Sequence, residues 1–259
     1  MNRTIIGVFV ALLLIVAAVF AWWFYSREAA EDVVQEVVAS TPLPAPTPTP
    51  SLEERLSQKL AGTTLKTSDA VVRELAESLS SNPKLAAWLV NEDLIRRFTA
   101  AVNSIAAGVS PKSQLEFLRP KDRFEVKKRS GGVLVVDPKS YRRYDIVAEV
   151  FSSLDTEGTV ALYRELKPLI DDAYAEIAPP GKSFDDRLDA AFDQLLAVPV
   201  LEDSAQLNQL VVTYAWADEE IEGLSGAQRH FLRMGPDNVS VIQAKLGELR
   251  AALAASTSD

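Results

Sequence analysis

The chain has 259 residues, of which 47% are hydrophobic and 24% are charged, and its formal net charge is −9. This acidic balance argues against general nucleic-acid binding, because a polyanion repels an acidic protein. The sequence contains no cysteine, which excludes disulfides, thiolate nucleophiles and sulfur-ligated metals but leaves the cellular compartment open.

The N-terminal segment Ile5–Tyr25 has 21 residues without a charge and ends in the aromatic run Trp-Trp-Phe-Tyr. A helix of this length spans about 31 Å at ~1.5 Å per residue, close to the ~30 Å hydrocarbon core of a bilayer. A segment in lipid must bond its own backbone amides, and aromatic side chains favour the membrane–water interface. We therefore predict a transmembrane anchor over residues 1–25.

Two other interpretations of this segment are a buried core helix and a signal peptide cleaved after Ala21. Both are disfavoured, because the run has no polar face and exceeds the roughly 7–15 apolar residues of a signal peptide. Arg3 precedes the segment and Arg27 follows it amid acidic residues. The short N-terminal tail favours a cytoplasmic N-terminus, so the domain is exported, to the periplasm if the cell is bacterial.

The segment after the anchor leads into a stretch in which proline occupies every second position from Pro42 to Pro50. Proline fixes φ and removes a donor, so this stretch favours a polyproline II rod of about 30 Å. Ser51 and Glu54 then form a capping box that predicts a short helix. We predict that residues 26–64 are a spacer holding the domain away from the membrane; the alternative is a ligand for a proline-binding module.

From residue 65 onward, apolar residues recur at helical spacing behind residues that cap helices. Helices are predicted to begin near Ser68, Asn82, Leu94, Asp137, Asp155, Ser183, Ser225 and Val239. Phe124–Val126 and Val133–Val136 flank a Ser-Gly-Gly turn and predict one β-hairpin, whereas Leu210–Tyr214 fits either a strand or a helix. The predicted fold class is mainly α: a multi-helix globular domain over residues 65–255 with one inserted β-hairpin, followed by a disordered tail at 256–259.

Four strings in the predicted domain resemble those of a known family. They are Asp93–Phe98, Ser140–Asp145, Phe184–Leu188 and Arg233–Asn238. In this order and spacing they are similar to an uncharacterised bacterial membrane-anchored family, the domain of unknown function 3014, and the resemblance covers roughly residues 65–253. The resemblance implies a bacterial envelope setting and supports the anchored layout. It implies no activity, substrate or catalytic residue.

Three motifs resemble parts of catalytic or phosphate-binding sites. The Gly-Lys-Ser string at 181–183 lacks the glycine that a phosphate-binding loop needs five residues earlier, where Glu176 stands. Ser81 and Lys84 have the Ser-x-x-Lys spacing of penicillin-binding enzymes without the companion elements. His230 is the only histidine, so the sequence has no histidine cluster for a metal, although one Ser-His-Asp triad stays open. We predict no catalytic residue, no metal and no cofactor.

Charge is distributed unevenly along the domain. Residues 111–143 carry ten basic and four acidic side chains, a net charge of +6, so the remainder of the chain carries −15. We predict that this basic segment binds an acidic protein, an anionic glycan or a lipid head group. The alternative is that its cations neutralise the domain's own acidic helices. The candidate partner-binding residues are Lys127, Lys128, Arg129, Tyr141, Arg142, Arg143 and Tyr144.

Asp185, Asp189 and Asp193 are spaced four residues apart, so they share one face of a helix. Like charges repel at this spacing, and either a bound divalent cation or Arg187 and lysines of another helix could offset the repulsion. A calcium site needs about six oxygen ligands, more than these three carboxylates supply as single ligands. We predict a solvated face, with a cation or partner surface as the alternative.

Together these features favour a non-catalytic protein of the cell envelope, anchored in the inner membrane by one helix, that exposes an interaction or scaffold domain to the periplasm. The alternative is a periplasmic hydrolase that acts on peptidoglycan through a carboxylate pair, which requires a cleft with an acid of raised pKa. If the topology is reversed, the domain is instead a cytoplasmic-facing adaptor.

The predicted anchor should keep the protein in the membrane fraction after extraction with alkaline carbonate, because lipid rather than surface charge holds a spanning helix. Mass spectrometry should find a mature chain that retains Ile5–Tyr25, and an export-dependent reporter fused after Asp259 should be active. Release by carbonate, or a mature N-terminus after Ala21, would contradict the anchor.

Overall fold

The computed structural model describes residues 51–202 and 204–256. The helices are α1 (Leu52–Leu60), α2 (Ser68–Glu77), α3 (Pro83–Trp88), α4 (Leu94–Ala106), α5 (Pro138–Arg142), α6 (Asp145–Ser152), α7 (Thr156–Ala175), α8 (Phe184–Leu196), α9 (Glu219–Glu222), α10 (Gly226–Leu232) and α11 (Pro236–Ala255). The strands are β1 (Val126–Lys128), β2 (Leu134–Val136), β3 (Gln206–Gln209) and β4 (Tyr214–Trp216). The mainly α fold class is confirmed.

The predicted anchor, the proline-rich part of the spacer and the last three residues of the predicted tail lie outside the described residues. Within residues 51–202 and 204–256, no helix is long and apolar enough to cross a membrane.

Caps that the sequence predicts set the starts of several helices. Ser51 and Glu54 form the capping box of α1, and Ser225 forms another at α10. The side chains of Asp155 and Ser183 accept hydrogen bonds from the first-turn amides of α7 and α8. Each such cap satisfies amides that have no partner inside the helix, and losing one typically costs about 1 kcal/mol.

The β-structure is larger than the one hairpin that the sequence predicts. The predicted hairpin exists, with Val126 opposite Val136 and Lys128 opposite Leu134. A second hairpin, β3–β4, adds to it through the pairing of β2 with β3, so the result is a four-stranded antiparallel sheet in the order β1-β2-β3-β4. The segment 210–214, which fits strand or helix by sequence, is the turn before β4 together with its first residue.

Two hydrophobic clusters form the core. The first lies between the inner face of the sheet and helices α8, α10 and α11; its buried members include Val136, Phe192, Leu207, Trp216, Phe231 and Val239. The second joins α1, α2, α4, α7 and α8; its buried members include Leu56, Leu75, Ile95, Leu166, Tyr174 and Phe184. Leu188 of α8 packs against both clusters, so α8 links the two halves of the core.

The position of α1 extends the folded unit. Leu56 is buried in the second cluster, and α1 contacts α7 and α2. The short helix that the sequence assigns to the spacer is therefore part of the folded domain, which reaches back at least to Leu52.

The four strings that carry the family resemblance meet in space as two pairs. In the first pair, the rings of Phe98 on α4 and Phe184 on α8 lie 5.7 Å apart between centroids. In the second, the buried side chain of Asn238 donates from Nδ2 to the carbonyl of Tyr141 at 3.2 Å and to Oδ1 of Asp145 at 3.0 Å. These strings therefore form the packing contacts of α4 with α8 and of α11 with the α5–α6 corner.

Gly235 is required at the start of α11. Its φ of +90° lies in the region that favours glycine, and a Cβ there would come within 2.4 Å of Cγ of Tyr141. The Tyr141 ring thus occupies the space that any other side chain at 235 would need.

We expect Gly235→Ala to destabilise the protein far more than Gly62→Ala. Both glycines have positive φ, but a Cβ at Gly62 meets no atom within 4 Å. Gly62→Ala should therefore lower the free energy of unfolding only by the backbone strain, about 1–2 kcal/mol. Gly235→Ala should lower it by about 4 kcal/mol or more, because the Tyr141 ring must also move. Urea unfolding measures both free energies, and equal losses would contradict the packing of Tyr141 against Gly235.

Candidate functional site

The most basic part of the sheet is at one of its ends. Lys127, Lys128 and Arg129, here called the basic turn, lead from β1 into its turn, and all three are exposed. Lys128 lies opposite Leu134, and Leu134 lies opposite Leu207 of β3. Because this register is antiparallel throughout, the turn after β1 and the turn after β3 leave the same end of the sheet.

The basic turn is attached to α5 by buried polar groups. The hydroxyl of Ser140 accepts a hydrogen bond from the amide of Glu125 at 2.7 Å and donates to the carbonyl of the same residue at 2.9 Å. Asp137 caps α5 by accepting from the amide of Lys139 at 2.9 Å, and its other oxygen lies 3.8 Å from Nζ of Lys127. These contacts fix β1, and with it the basic turn, on the helical part of the domain.

Two of the predicted partner-binding residues lie inside this attachment instead of on an open surface. Tyr141 is only 8% exposed and packs against Gly235. Arg143 donates to the carbonyls of Ser140 and Asp122, both at 2.8 Å, and its guanidinium lies 5.5 Å from the ring centre of Tyr144. Arg143 therefore holds the loop before β1 in place, and Tyr141 packs at the start of α11. Of the predicted partner-binding residues, the exposed cations are those of the basic turn and Arg142.

The alternative that the basic segment neutralises the acidic helices finds no support in the contacts. Within the described residues, the one ion pair formed by residues 111–143 is Lys127–Asp137, which is internal to the segment. Lys128, Arg129 and Arg142 are exposed and form no ion pair with any described residue. Their charge is therefore directed to solvent.

The acidic face of α8 is neutralised by other helices. Asp185 lies 3.3 Å from Nζ of Lys167 on α7, and Asp193 lies 2.8 Å from the guanidinium of Arg250 on α11. Asp189 lies 3.7 Å from the same guanidinium. Arg187, the partner expected from sequence, donates instead to Oδ1 of Asn103 at 2.9 Å. Exposed pairs of this kind contribute about 0–1 kcal/mol each, which is enough to offset repulsion along the face.

These carboxylates do not gather into a metal site. Among the described residues, no group of three His, Cys, Asp or Glu side chains is arranged to hold an ion. Tyr163 donates to Oδ1 of Asp185 at 2.5 Å, and burial together with this carboxylate raises the pKa of the phenol. Tyr163 therefore stays protonated and acts as a donor that orients Asp185.

The structure also brings together a serine and the single histidine, a pair that the sequence does not predict because 120 positions separate them. Oγ of Ser110 lies 3.0 Å from Nδ1 of His230. Burial and the charges of Arg233 and Lys112 lower the pKa of His230 below its ordinary value, so the ring is neutral at neutral pH. In the described part of the chain no carboxylate hydrogen-bonds to this ring, so the pair lacks the acid that orients histidine in a catalytic triad.

Two cavities lie elsewhere, around the connection between α7 and α8. They have volumes of about 370 and 400 Å³ and share Tyr174, Pro179, Lys182 and Ser183 in their walls. Neither is lined by Ser110 or His230. Ser183 is the N-cap of α8, so the Gly-Lys-Ser string at 181–183 lies at the end of the connection between two helices, as its sequence context predicts.

Comparison with known families gives one match. The profile of a family described as "Protein of unknown function (DUF3014)" matches residues 94–250 of this chain. The matched region begins at α4 and ends within α11, so it contains both pairs of contacting strings, whereas α1, α2 and α3 precede it. No curated protein and no solved structure is significantly similar to the chain.

The buried histidine should make stability depend on pH. In the folded state the pKa of His230 lies below the ordinary value of 6.5, so the unfolded chain binds the extra proton more readily. The contribution of this residue is therefore present above about pH 6.5 and is lost as the pH falls below that value, by at most about 1.4 kcal/mol per pH unit. We expect His230→Asn to flatten the curve of unfolding free energy against pH between 7.5 and 5.5, and an unchanged slope would contradict the effect.

Proposed function

The chain belongs to this family of unknown function, and we propose that it is a single-pass protein of the bacterial inner membrane that presents a non-catalytic interaction domain to the periplasm. The domain docks an anionic partner through the basic turn. Its helical bundle serves as the rigid support on which the sheet is held.

The observation that carries this proposal is the unpaired charge at one end of the sheet. In a chain of net charge −9, Lys128 and Arg129 remain exposed and unpaired by described residues. The three aspartates of the predicted acidic face, in contrast, are matched to Lys167 and Arg250. Local cations on an otherwise acidic protein attract and orient an anionic partner and repel its cationic competitors.

The sequence supports the membrane part of the proposal. The uncharged segment Ile5–Tyr25 has the length and the aromatic end of a membrane-spanning helix, and alternating prolines follow it before Ser51. Such a tether raises the local concentration of the domain near one membrane surface, which strengthens weak contacts with partners there.

The hydrolase alternative receives less support. A general acid for glycoside cleavage needs a raised pKa, whereas hydrogen bonds from Arg96 lower the pKa of Glu176, next to the described cavities. Lys245 lowers the pKa of Glu248 in the same way. Two of the acids in the predicted acidic face, Asp189 and Asp193, share Arg250 as an ion-pair partner.

A charge-reversal experiment tests the basic turn. The triple variant Lys127→Glu, Lys128→Glu, Arg129→Glu should lose the crosslinks that the full-length protein forms in its native membranes, because the partner's anionic groups then meet like charge. The matched control reverses three other exposed lysines with no described ion pair: Lys66, Lys84 and Lys182.

Both triple variants change the net charge equally, so a general charge effect would alter both in the same way. The proposal expects at least a tenfold loss of crosslinked adducts in the basic-turn variant and near-normal adducts in the control. Unchanged adducts in the basic-turn variant, or equal losses in both, would overturn it.

A further inference from the structure

The turn between β3 and β4 exposes apolar side chains that the fold does not need. Val211 is 98% exposed, Val212 is 90% exposed and Leu210 is 51% exposed; these three residues are called the valine turn here. The amide of Leu210 donates to the carbonyl of Thr213 at 2.9 Å and closes the hairpin.

The composition of this turn is not explained by its geometry. Short hairpin turns are usually built from glycine, asparagine or aspartate, which adopt the required backbone angles easily. The segment Leu-Val-Val-Thr at 210–213 contains none of these. Since its side chains neither shape the turn nor fill the core, their exposure to water indicates a surface that contacts something apolar.

The valine turn and the basic turn lie at the same end of the sheet. Leu134 and Leu207 are paired across β2 and β3, and both β1 and β3 run toward this end before they turn. This end of the sheet therefore carries exposed apolar side chains together with the exposed cations of the basic turn.

We infer that this end of the sheet docks onto an anionic lipid bilayer, with the valine turn in the acyl boundary and the basic turn among the head groups. The inference rests on the proposed function and names the partner that the basic turn recognises. A narrow, convex apolar tip fits a deformable bilayer without needing a preformed pocket, and neighbouring cations match anionic head groups.

The tether is long enough for this contact. Residues 26–50 lie between the predicted anchor and the described domain, and these 25 residues span at most about 85 Å at ~3.4 Å each. A folded domain of this size is about 45 Å across, so either end of it can reach the bilayer that holds the anchor.

The absence of cysteine from the sequence provides a direct test. The variant Val211→Cys of the full-length chain is labelled on its single cysteine with NBD, a fluorophore whose emission depends on polarity. The labelled protein is reconstituted in vesicles of phosphatidylcholine alone or with about 30% phosphatidylglycerol, an anionic lipid. The matched control places the label at Val90, which is 69% exposed on the turn after α3. In the anionic vesicles, the emission of the label at position 211 should shift to the blue and be quenched by nitroxide lipids. The label at position 90 should show the emission of a water-exposed fluorophore in both kinds of vesicle.

The charge variants show whether the basic turn drives this insertion. Each cation near an anionic membrane strengthens binding about fivefold, so losing the three weakens insertion by about 100-fold, and replacing them with glutamate adds repulsion to that loss. The Lys127→Glu, Lys128→Glu, Arg129→Glu variant should therefore abolish the blue shift at position 211, and the Lys66, Lys84 and Lys182 control should retain it.

An aqueous label at position 211 in the anionic vesicles overturns the lipid inference. If crosslinks to an acidic protein still depend on the basic turn in that case, the proposed function stands with a protein as the partner. A different result is that the label at position 211 inserts equally well in neutral and anionic vesicles, and equally well in the basic-turn variant. That result would mean that apolar contacts alone hold the turn in the lipid, and it would overturn the role of the cations.

Discussion

The buried amide of Asn238 joins the parts of the molecule on which the position of the sheet depends. It donates to oxygens of Met234, Tyr141 and Asp145, which belong to the turn before α11 and to the α5–α6 corner. A buried side-chain amide without these bonds would cost about 1–3 kcal/mol of stability. The bonds therefore hold α11, the turn before it and the α5–α6 corner in one arrangement. The neighbouring Gly235 allows the close approach, because the Tyr141 ring fills the space beside its Cα.

From this junction the contacts continue outward to the surface. Ser140, next to Tyr141, forms hydrogen bonds with both the amide and the carbonyl of Glu125. These bonds fix the position at which β1 begins. Arg143 holds the loop before β1 by donating to the carbonyl of Asp122 and by placing its guanidinium 5.8 Å from the ring centre of Phe124. Residues that the sequence assigns to a binding surface, such as Arg143, thus support that surface from inside the domain.

The charges of the domain follow a division of roles. Asp185, Asp189 and Asp193 of α8 are paired with cations of α7 and α11, which stabilises the bundle by small local amounts and reduces repulsion along one helix face. Of the cations in the basic turn, Lys128 and Arg129 form no ion pair with any described residue, and an exposed apolar turn lies at the same end of the sheet. Exposed valine side chains contribute nothing to folding when they stay in water, which is why this end is the most informative surface for function.

The region that matches the family contains packing contacts of the core, while the family itself has no described function. The matched residues 94–250 include the contact of Phe98 with Phe184 and that of Asn238 with Tyr141. The first three helices lie outside the matched region, yet Leu56 of α1 is buried in the same cluster as Phe184. The folded unit is therefore larger than the matched region.

The helices were predictable because their signals are local. A cap such as Ser51 or Ser225 bonds to an amide three residues away, and apolar spacing shows which face is buried. The first hairpin was predictable for a similar reason, since Val133–Val136 and a glycine turn lie close together in the chain. The second hairpin was not, because β3 reads Gln-Leu-Asn-Gln and has a single buried residue, Leu207.

By itself, then, the sequence determined the helical class, the caps, the uneven charge and an uncharged segment of membrane-spanning length. Only the tertiary structure decided which charges are paired, that Arg143 holds the loop before β1 while Tyr141 packs against Gly235, and that the basic turn and the valine turn share one end of the sheet. The physical reason is range: caps and periodicity act over a few residues, whereas ion pairs such as Asp193–Arg250 and the register of Leu134 with Leu207 join residues far apart in the chain.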